Sequence, residues 1–379
     1  MFDAETRFVI PTYSGLEEVL AKEISQLGGR DVEINWKAVS CTGDKGFMYK
    51  ANFCLRTGLL VLPLIKTFPV YHEKDVYANL ESIQWDNYFS SNQSFNVKCA
   101  ITSELIDGKL ELTTKAKQSV VDFFKNKNGK ASKIEEKNPD VEVLIFIGSN
   151  GSILLNSSGD SLNKRGYLAE DTIEMLDPII ASGIVILSGW EPHQPLIDLM
   201  CGAGIIPIEA ALWAVKIPPG AFRKYFAFEN WIDFDLELFN LIRDKQIARI
   251  VNNPIRIYAN ESNMDDYEKA NQNILSAGVD DMITTSNIDF NLFERPDGAG
   301  IILINPPFGN KEDIIEDENF FANIGNCFKQ KFTNYKAYIF TGNPEIGKLI
   351  GLKAKKRIKL FKGDQESRLL GYDLFEGSK

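Results

Sequence analysis

Short apolar runs and apolar positions spaced three and four apart divide these 379 residues into two patterns. In the first, Phe8-Val9-Ile10 predicts a strand and Pro11 to Gly15 a loop. Leu16, Val19, Leu20, Ile24 and Leu27 then predict a helix, which Gly28-Gly29 stops. Alternating segments over 32–53 and a helical stretch from about 54 to 66 complete a small α+β unit. A second unit runs from about 70 to 160. Residues 95–101 alternate like a strand, and 111–127 carry Ala116, Val120, Phe123 and Phe124 on one helical face. Residues 126–140 read as a polar loop. Residues 141–147 and 152–156 read as strands joined by the turn Gly148-Ser149-Asn150-Gly151.

From about 170 the pattern changes. A helix over 172–187 precedes a strand over 195–198, a glycine loop and a helix from about 205. Strands over 255–259, 282–285, 301–304 and 338–340 then alternate with helices over 265–277 and 318–331. Such alternation predicts an α/β fold with a mostly parallel sheet covered by helices on both faces. The last segment differs. Ile358 to Phe361, the pair Gly363-Asp364 and Arg368 to Phe375 read as an antiparallel hairpin.

Length predicts two or three domains. A 44% hydrophobic and 25% charged composition is that of a globular protein and excludes disordered and fibrous classes. The longest apolar run, Ile179–Trp190, is short and interrupted for a bilayer span, and no secretory signal is visible. Five scattered cysteines without a C-x-x-C pair, and two histidines, argue against zinc and against a Ser-His-Asp mechanism. They predict a reducing cytoplasm and no metal. The net charge of −10 argues at first against a nucleic-acid partner. Its distribution weakens that objection: residues 1–169 hold 20 basic and 21 acidic side chains, residues 170–379 hold 22 and 31.

Three strand ends carry candidate chemistry. Asp198-Leu-Met-Cys201-Gly202-Ala-Gly204 ends a strand in a glycine turn that opens a helix, where free N–H groups can meet a ligand. A dinucleotide fingerprint needs a third glycine, where Pro207 stands. Glu261 ends the next strand, placed to accept ribose hydroxyls, and Asp289 follows a third, placed to meet adenine or its ribose. After the strand Ile301–Ile304 comes Asn305-Pro306-Pro307-Phe308-Gly309. Asn305 and the Pro306 carbonyl offer acceptors and Phe308 a flat face. This set suits a planar ring bearing an exocyclic amine.

The combination resembles class I S-adenosylmethionine-dependent N-methyltransferases. More closely, the chain resembles the THUMP-domain large-subunit rRNA guanine-N2 methyltransferases of the RlmL type. The residues that carry this are Lys164-Arg-Gly-Tyr167, Ile180–Trp190, the glycine loop with Glu209-Ala-Ala, Ile217-Pro-Pro-Gly220, Arg223 to Trp231, and Leu360 to Leu370. Leu199, Ala203 and Ile205 depart from the family's glycine loop, Leu168 follows R-G-Y, and Glu261 replaces the usual Asp. The resemblance implies a ferredoxin-like subdomain over 1–57, a THUMP RNA-binding domain over 58–160 and a Rossmann-like methyltransferase domain over 170–379. It implies S-adenosylmethionine as cofactor and 23S rRNA as partner. Asn305, Pro306, Pro307 and Phe308 would be catalytic, and Asp198, Cys201, Gly202, Gly204, Glu261, Asp289 and Asn305 would hold the cofactor.

Two basic clusters oppose the acidic background. Lys115, Lys117, Lys125, Lys127, Lys130 and Lys133, with only Asp122 among them, are expected to contact RNA. A run from Lys348 to Lys362 has no acid within it and equal claims to be solvated surface or RNA contact. Tyr13 and Trp36 read as core or base-stacking residues, with core favoured. Guanine-N2 methylation of tRNA, adenine-N6 methylation of nucleic acid, and a non-catalytic THUMP RNA-binding protein stay open; Pro207 counts against a nicotinamide dehydrogenase.

Overall fold

The computed structural model describes residues 2, 5–102, 109–168, 176–252, 254–307, 314–343, 345–362 and 365–375. Its first half folds as β1 (Thr6–Pro11), α1 (Glu17–Leu27), β2 (Arg30–Asn35), β3 (Ala38–Gly43), α2 (Lys45–Cys54), β4 (Leu62–Pro69) and α3 (Glu73–Glu81). These are followed by β5 (Ser94–Ile101), α4 (Lys109–Asn128), β6 (Lys133–Ile134), β7 (Val141–Ile147) and β8 (Asn150–Leu155). The helix expected over 54–66 is instead α2, nine residues earlier. Asp44 starts it by accepting the Phe47 N–H at 2.7 Å, and Leu55 ends it in extended backbone. The apolar run after residue 61 is strand β4. Short apolar runs do not separate strand from helix by periodicity, and here the cap decides. Within the expected loop 126–140, β6 adds a short parallel edge to β5.

These strands form one sheet in the order β2-β3-β1-β4-β8-β7-β5-β6. β4 joins its two parts, pairing antiparallel with β1 through Phe8–Pro63 and with β8 through Phe68–Gly151.

The second half comprises α5 (Pro178–Ser188), β9 (Leu196–Asp198), α6 (Ile205–Ala214), α7 (Leu236–Ile247), β10 (Ile257–Asn260), α8 (Met264–Ser276) and β11 (Ile283–Ser286). Then come β12 (Ile301–Ile304), α9 (Ile314–Lys331), β13 (Lys336–Thr341), α10 (Ile346–Leu349), β14 (Lys356–Lys362) and β15 (Gln365–Asp373). The first four residues of the helix expected over 172–187 lie outside the described residues; α5 starts where Asp177 caps the Ile179 N–H and Pro178 fits the first turn. The sheet order is β11-β10-β9-β12-β13-β15-β14, parallel through β13 and closed by the expected antiparallel hairpin. The hairpin's Gly363-Asp364 turn lies outside the described residues. Leu196, Ile301 and Leu303 point into one core with α5 and α6, while Ile197, Ile302 and Ile304 point into the other with α9. Both faces of the sheet are covered, so its strands are apolar throughout.

One stretch leaves this pattern. Phe226, Phe228, Trp231, Phe239 and Ile242 join the core of the first half. There Tyr49 stacks on Phe228 with ring centroids 4.5 Å apart, and its hydroxyl accepts the Asp235 N–H at 3.0 Å.

The halves also meet through buried polar groups. Arg165 Nε donates to Glu209 Oε1 at 3.0 Å and its Nη2 to the Arg56 carbonyl at 2.6 Å. Tyr167 donates to the same Glu209 oxygen at 2.7 Å, and Ser182 to the other. Arg56 in turn donates to the carbonyls of Leu212 and Ile217. The Arg-Gly-Tyr and Glu-Ala-Ala stretches of the sequence are thus two sides of one contact. A charge this deep is tolerated because it is paired and hydrogen-bonded.

Candidate active site

The sheet order reverses between β9 and β12, and the helices that come after them, α6 and α9, pack on opposite faces. In open α/β sheets this crevice takes the ligand. A cavity of about 450 Å³ lies there, at the carboxyl ends of β9, β10 and β12. It brings together Asp198, Cys201, Gly202, Glu261, Asn305, Pro306 and Pro307 from strand ends distant in sequence.

The glycine loop is held from both sides. The Cys201 N–H donates to the Asn260 carbonyl at 2.9 Å, and the Gly204 N–H closes onto the Cys201 carbonyl at 2.8 Å. Gly204 starts α6 with φ +79°, and a Cβ there would stand 3.3 Å from Ala270 Cβ. Both its backbone angle and this close approach favour glycine. Pro207 sits in the first turn of α6, where a missing N–H costs no helical hydrogen bond. Asn273 Nδ2 donates to the Ala203 carbonyl at 3.0 Å, tying the loop to α8. Asn260 is fully buried between β9 and β11. It donates to the carbonyls of Leu199 and Ile288 and accepts from the Ser286 hydroxyl at 2.7 Å.

Glu261 spans the mouth of the loop. Its Oε2 accepts the Gly202 N–H and its Oε1 the Asn263 N–H, each at 2.9 Å. Each carboxylate oxygen keeps a second lone pair for a ligand hydroxyl. Asp198 is 1% exposed; its Oδ1 accepts the Met200 N–H at 3.1 Å, while its Oδ2 has no hydrogen-bond partner among the described residues. Burial pushes its carboxyl well above the usual range. The Glu261 charge adds to this and the Met200 hydrogen bond opposes it. The Cys201 thiol is likewise raised by burial, then by Asp198 and Glu261, which keeps it protonated and poorly nucleophilic. Asn305 Oδ1 is the second buried acceptor in the cavity without a partner among the described residues. Unpaired buried acceptors are rare and call for an explanation. A ligand bearing positive charge and N–H donors supplies one here.

Asp289 does not line this cavity. It is exposed, and its carboxylate caps a single turn by accepting the Asn291 N–H at 2.7 Å. The next residue faces inward instead: Phe290 meets Phe320 of α9 edge-on, with centroids 5.9 Å apart at 84°, as one wall. Phe308 and Gly309 lie outside the described residues. Sequence reasoning missed Leu176, Asn263, Asp266, Phe290 and Phe320. Asn263 and Asp266 could have been found as the start of the helix after Glu261; Phe320 carries no local signal.

The lysine cluster differs from its expected form. Lys115 pairs with Glu111 and Glu73, Lys117 with Glu136, Lys127 with Asp86 and Lys133 with Glu135; Lys130 donates to Asn92. Lys125 alone of the six has no such contact among the described residues. Most partners are far away in sequence, so counting charges along α4 does not find them. Within the second run Lys348, Lys355 and Lys359 pair with Glu345, Asp373 and Glu366.

Family models match the RMKL-like methyltransferase domain over residues 165–370, the RlmL ferredoxin-like domain over 7–62 and the THUMP domain over 70–154. The chain belongs to the RMKL-like methyltransferase family. Among relatives, a Synechocystis sp. protein described as a candidate RNA methyltransferase is 29% identical over 99% of this chain and 98% of its own length. The ribosomal RNA large subunit methyltransferase K/L of Cellvibrio japonicus is 30% identical over 95% of this chain. This RMKL-like chain spans about half the length of that enzyme. The structure of a possible methylase from Clostridium difficile 630 superposes with TM-score 0.90 at 25% identity, covering 99% of this chain and 100% of that one. A methyltransferase-fold chain complexed with S-adenosylhomocysteine superposes with TM-score 0.86 at 23% identity over 98% of both. S-adenosylmethionine is the methyl donor that this family membership indicates, and the acidic, partly unpaired lining of the cavity fits it. No described helix is long and apolar enough to cross a membrane.

Proposed function

We propose that this chain transfers the methyl group of S-adenosylmethionine to the exocyclic N2 of a guanine in large-subunit (23S) ribosomal RNA, in the cytoplasm. The observation that carries the reading is Asn305 Oδ1, a buried acceptor with no partner among the described residues, beside Pro306 and Pro307 in the cavity between β9 and β12. The K/L relatives' names and the THUMP match support RNA as the substrate class.

The donor supplies an electrophilic methyl on a sulfonium, so the protein's task is to hold and orient. Glu261 would accept the ribose hydroxyls while fixing the glycine loop through Gly202. Asp198, free to ionise against a cation, would face the donor's positive end. Asn305 Oδ1 and the Pro306 carbonyl would accept hydrogen bonds from the two N–H groups of the guanine amine. That directs the amine lone pair, otherwise delocalised into the ring, toward the methyl. Transfer would leave the donor as its thioether, S-adenosylhomocysteine, and release one amine proton to solvent. Phe308 would stack on the base. Positioning two bound reactants in this way accounts for much of such a rate gain.

Transfer of labelled methyl to undermethylated rRNA tests the reading. Asn305→Ala should lower turnover by about 100-fold or more, the scale for losing one preorganised group at a reacting centre. Wild-type turnover in that variant would sink the amine clamp. Methylation at N6 of adenine in the product would leave the clamp intact and correct the base.

A further inference from the structure

Trp36, expected in the core, is 77% exposed. It forms with Lys37 the two-residue tip between β2 and β3, whose register closes at Asn35–Ala38. The tip is costly: Lys37 adopts φ +56°, a left-handed conformation that such hairpins usually give to Gly or Asn. It is nonetheless held firmly. The Lys37 N–H donates to Glu17 Oε1 at 3.2 Å and its carbonyl accepts the Thr12 N–H at 3.0 Å. Lys37 Nζ lies 4.4 Å from the indole centroid, covering one face of the ring. Ile34, two residues earlier on the same edge strand, is 55% exposed.

The position of this tip relates it to the active site. Ala38 pairs with Pro11 at the carboxyl end of β1, so the tip stands beside the loop 12–16. That loop reaches the catalytic half at two points. Tyr13 donates to Asp177 at 2.8 Å, next to Leu176 of the cavity lining, and the Phe361 N–H donates to the Ser14 carbonyl at 2.9 Å. Phe361 lies near the β14–β15 turn, on the side of the sheet where β9 and β12 end. The tip therefore stands at the same end of the molecule as the cavity.

We propose that Trp36 is a stacking platform for an unpaired base of the RNA substrate, flanking the nucleotide presented to Asn305. The inference rests on the proposed function. An indole with one face backed by an ammonium and the other open suits a base followed by its phosphate. Stacking accepts any base, so Trp36 would position the strand and leave the choice of target to the cavity.

The test is binding of a labelled, unpaired oligoribonucleotide by the full chain, followed by anisotropy, with calorimetric S-adenosylhomocysteine affinity as the folding control. Trp36→Ala should weaken RNA binding about 5- to 100-fold. It should raise KM for RNA in methyl transfer, leaving kcat at saturating RNA and the cofactor affinity unchanged. Trp36→Phe should restore most of the binding. Equal RNA affinity in wild type and Trp36→Ala would overturn the stacking role and leave this exposed strand edge as a protein-docking element. Equal weakness of the Phe and Ala variants would also overturn it. A wild type that bound no RNA would overturn the functional reading, and this inference with it.

Discussion

The cavity and the α4 surface are opposites in how they use polar groups. The cavity has few, they are buried, and two of them, Asp198 Oδ2 and Asn305 Oδ1, have no partner among the described residues. The α4 surface has six lysines in sequence proximity, and most are already matched by acids from α3, from the turn at Asp86 and from residues 135–136. A ligand gains more from an acceptor kept unsatisfied out of water than from a cation already paired and solvated. Availability, rather than the amount of charge, separates the two regions.

The contrast can be tested by substitution. After the turnover loss expected for Asn305→Ala, the largest effect is expected for Glu261→Ala, which removes the acceptor for ligand hydroxyls and leaves the Gly202 and Asn263 N–H groups unpaired. Cofactor affinity should fall roughly 10- to 100-fold by calorimetry, in line with hydrogen bonds to a charged group. Unchanged affinity would remove Glu261 from the site and blur the contrast.

Asp198→Asn should split binding from stability. The folded protein holds the Asp198 carboxyl above its unfolded range, so it keeps its proton to higher pH than the unfolded chain does. The associated stability is complete below the unfolded carboxylate range and is lost as pH rises through the raised folded value. Asn cannot ionise. The variant's thermal midpoint should therefore gain on wild type as pH increases. Its affinity for the cationic donor should fall several-fold and lose the wild type's strengthening with pH. A stability difference between variant and wild type that stayed constant with pH would refute this account of the unpaired oxygen.

The smallest effect belongs to the lysines. Lys117→Ala, which breaks the pair with Glu136, should change RNA affinity less than about twofold, because a cation already paired and largely covered has little left to offer. Lys125→Ala should do more, by salt-dependent anisotropy. A tenfold loss at Lys117 would show that RNA displaces Glu136 and that pairing does not predict availability.

Much of the catalytic half was legible, because its determinants are local. Glycines at a strand end, Pro207 in a first turn and prolines after Ile304 fix backbone shape within a few residues. The alternation of strands and helices then gives the crevice its place. What stayed hidden depends on distant partners. Asp289 has the expected position in the chain, but its carboxylate is taken by the Asn291 N–H, and Phe290 holds the wall. Trp36 reads as core by composition, yet β2 is the sheet edge and its tip is exposed. Neither the reach of Glu136 to Lys117 nor the entry of Phe228 into the first core has a local signature.

That last insertion has a practical consequence. Family boundaries would cut the chain near residue 165, but its hydrophobic cores do not divide there. A fragment beginning at 165 would carry Phe226, Phe228, Trp231 and Phe239 into water, together with Arg165 stripped of the Leu162 and Arg56 carbonyls it donates to. The complementary fragment would have a hole beneath Tyr49. The halves are unsuited to exchange as cassettes between relatives, and a recombinant design has to keep them on one polypeptide.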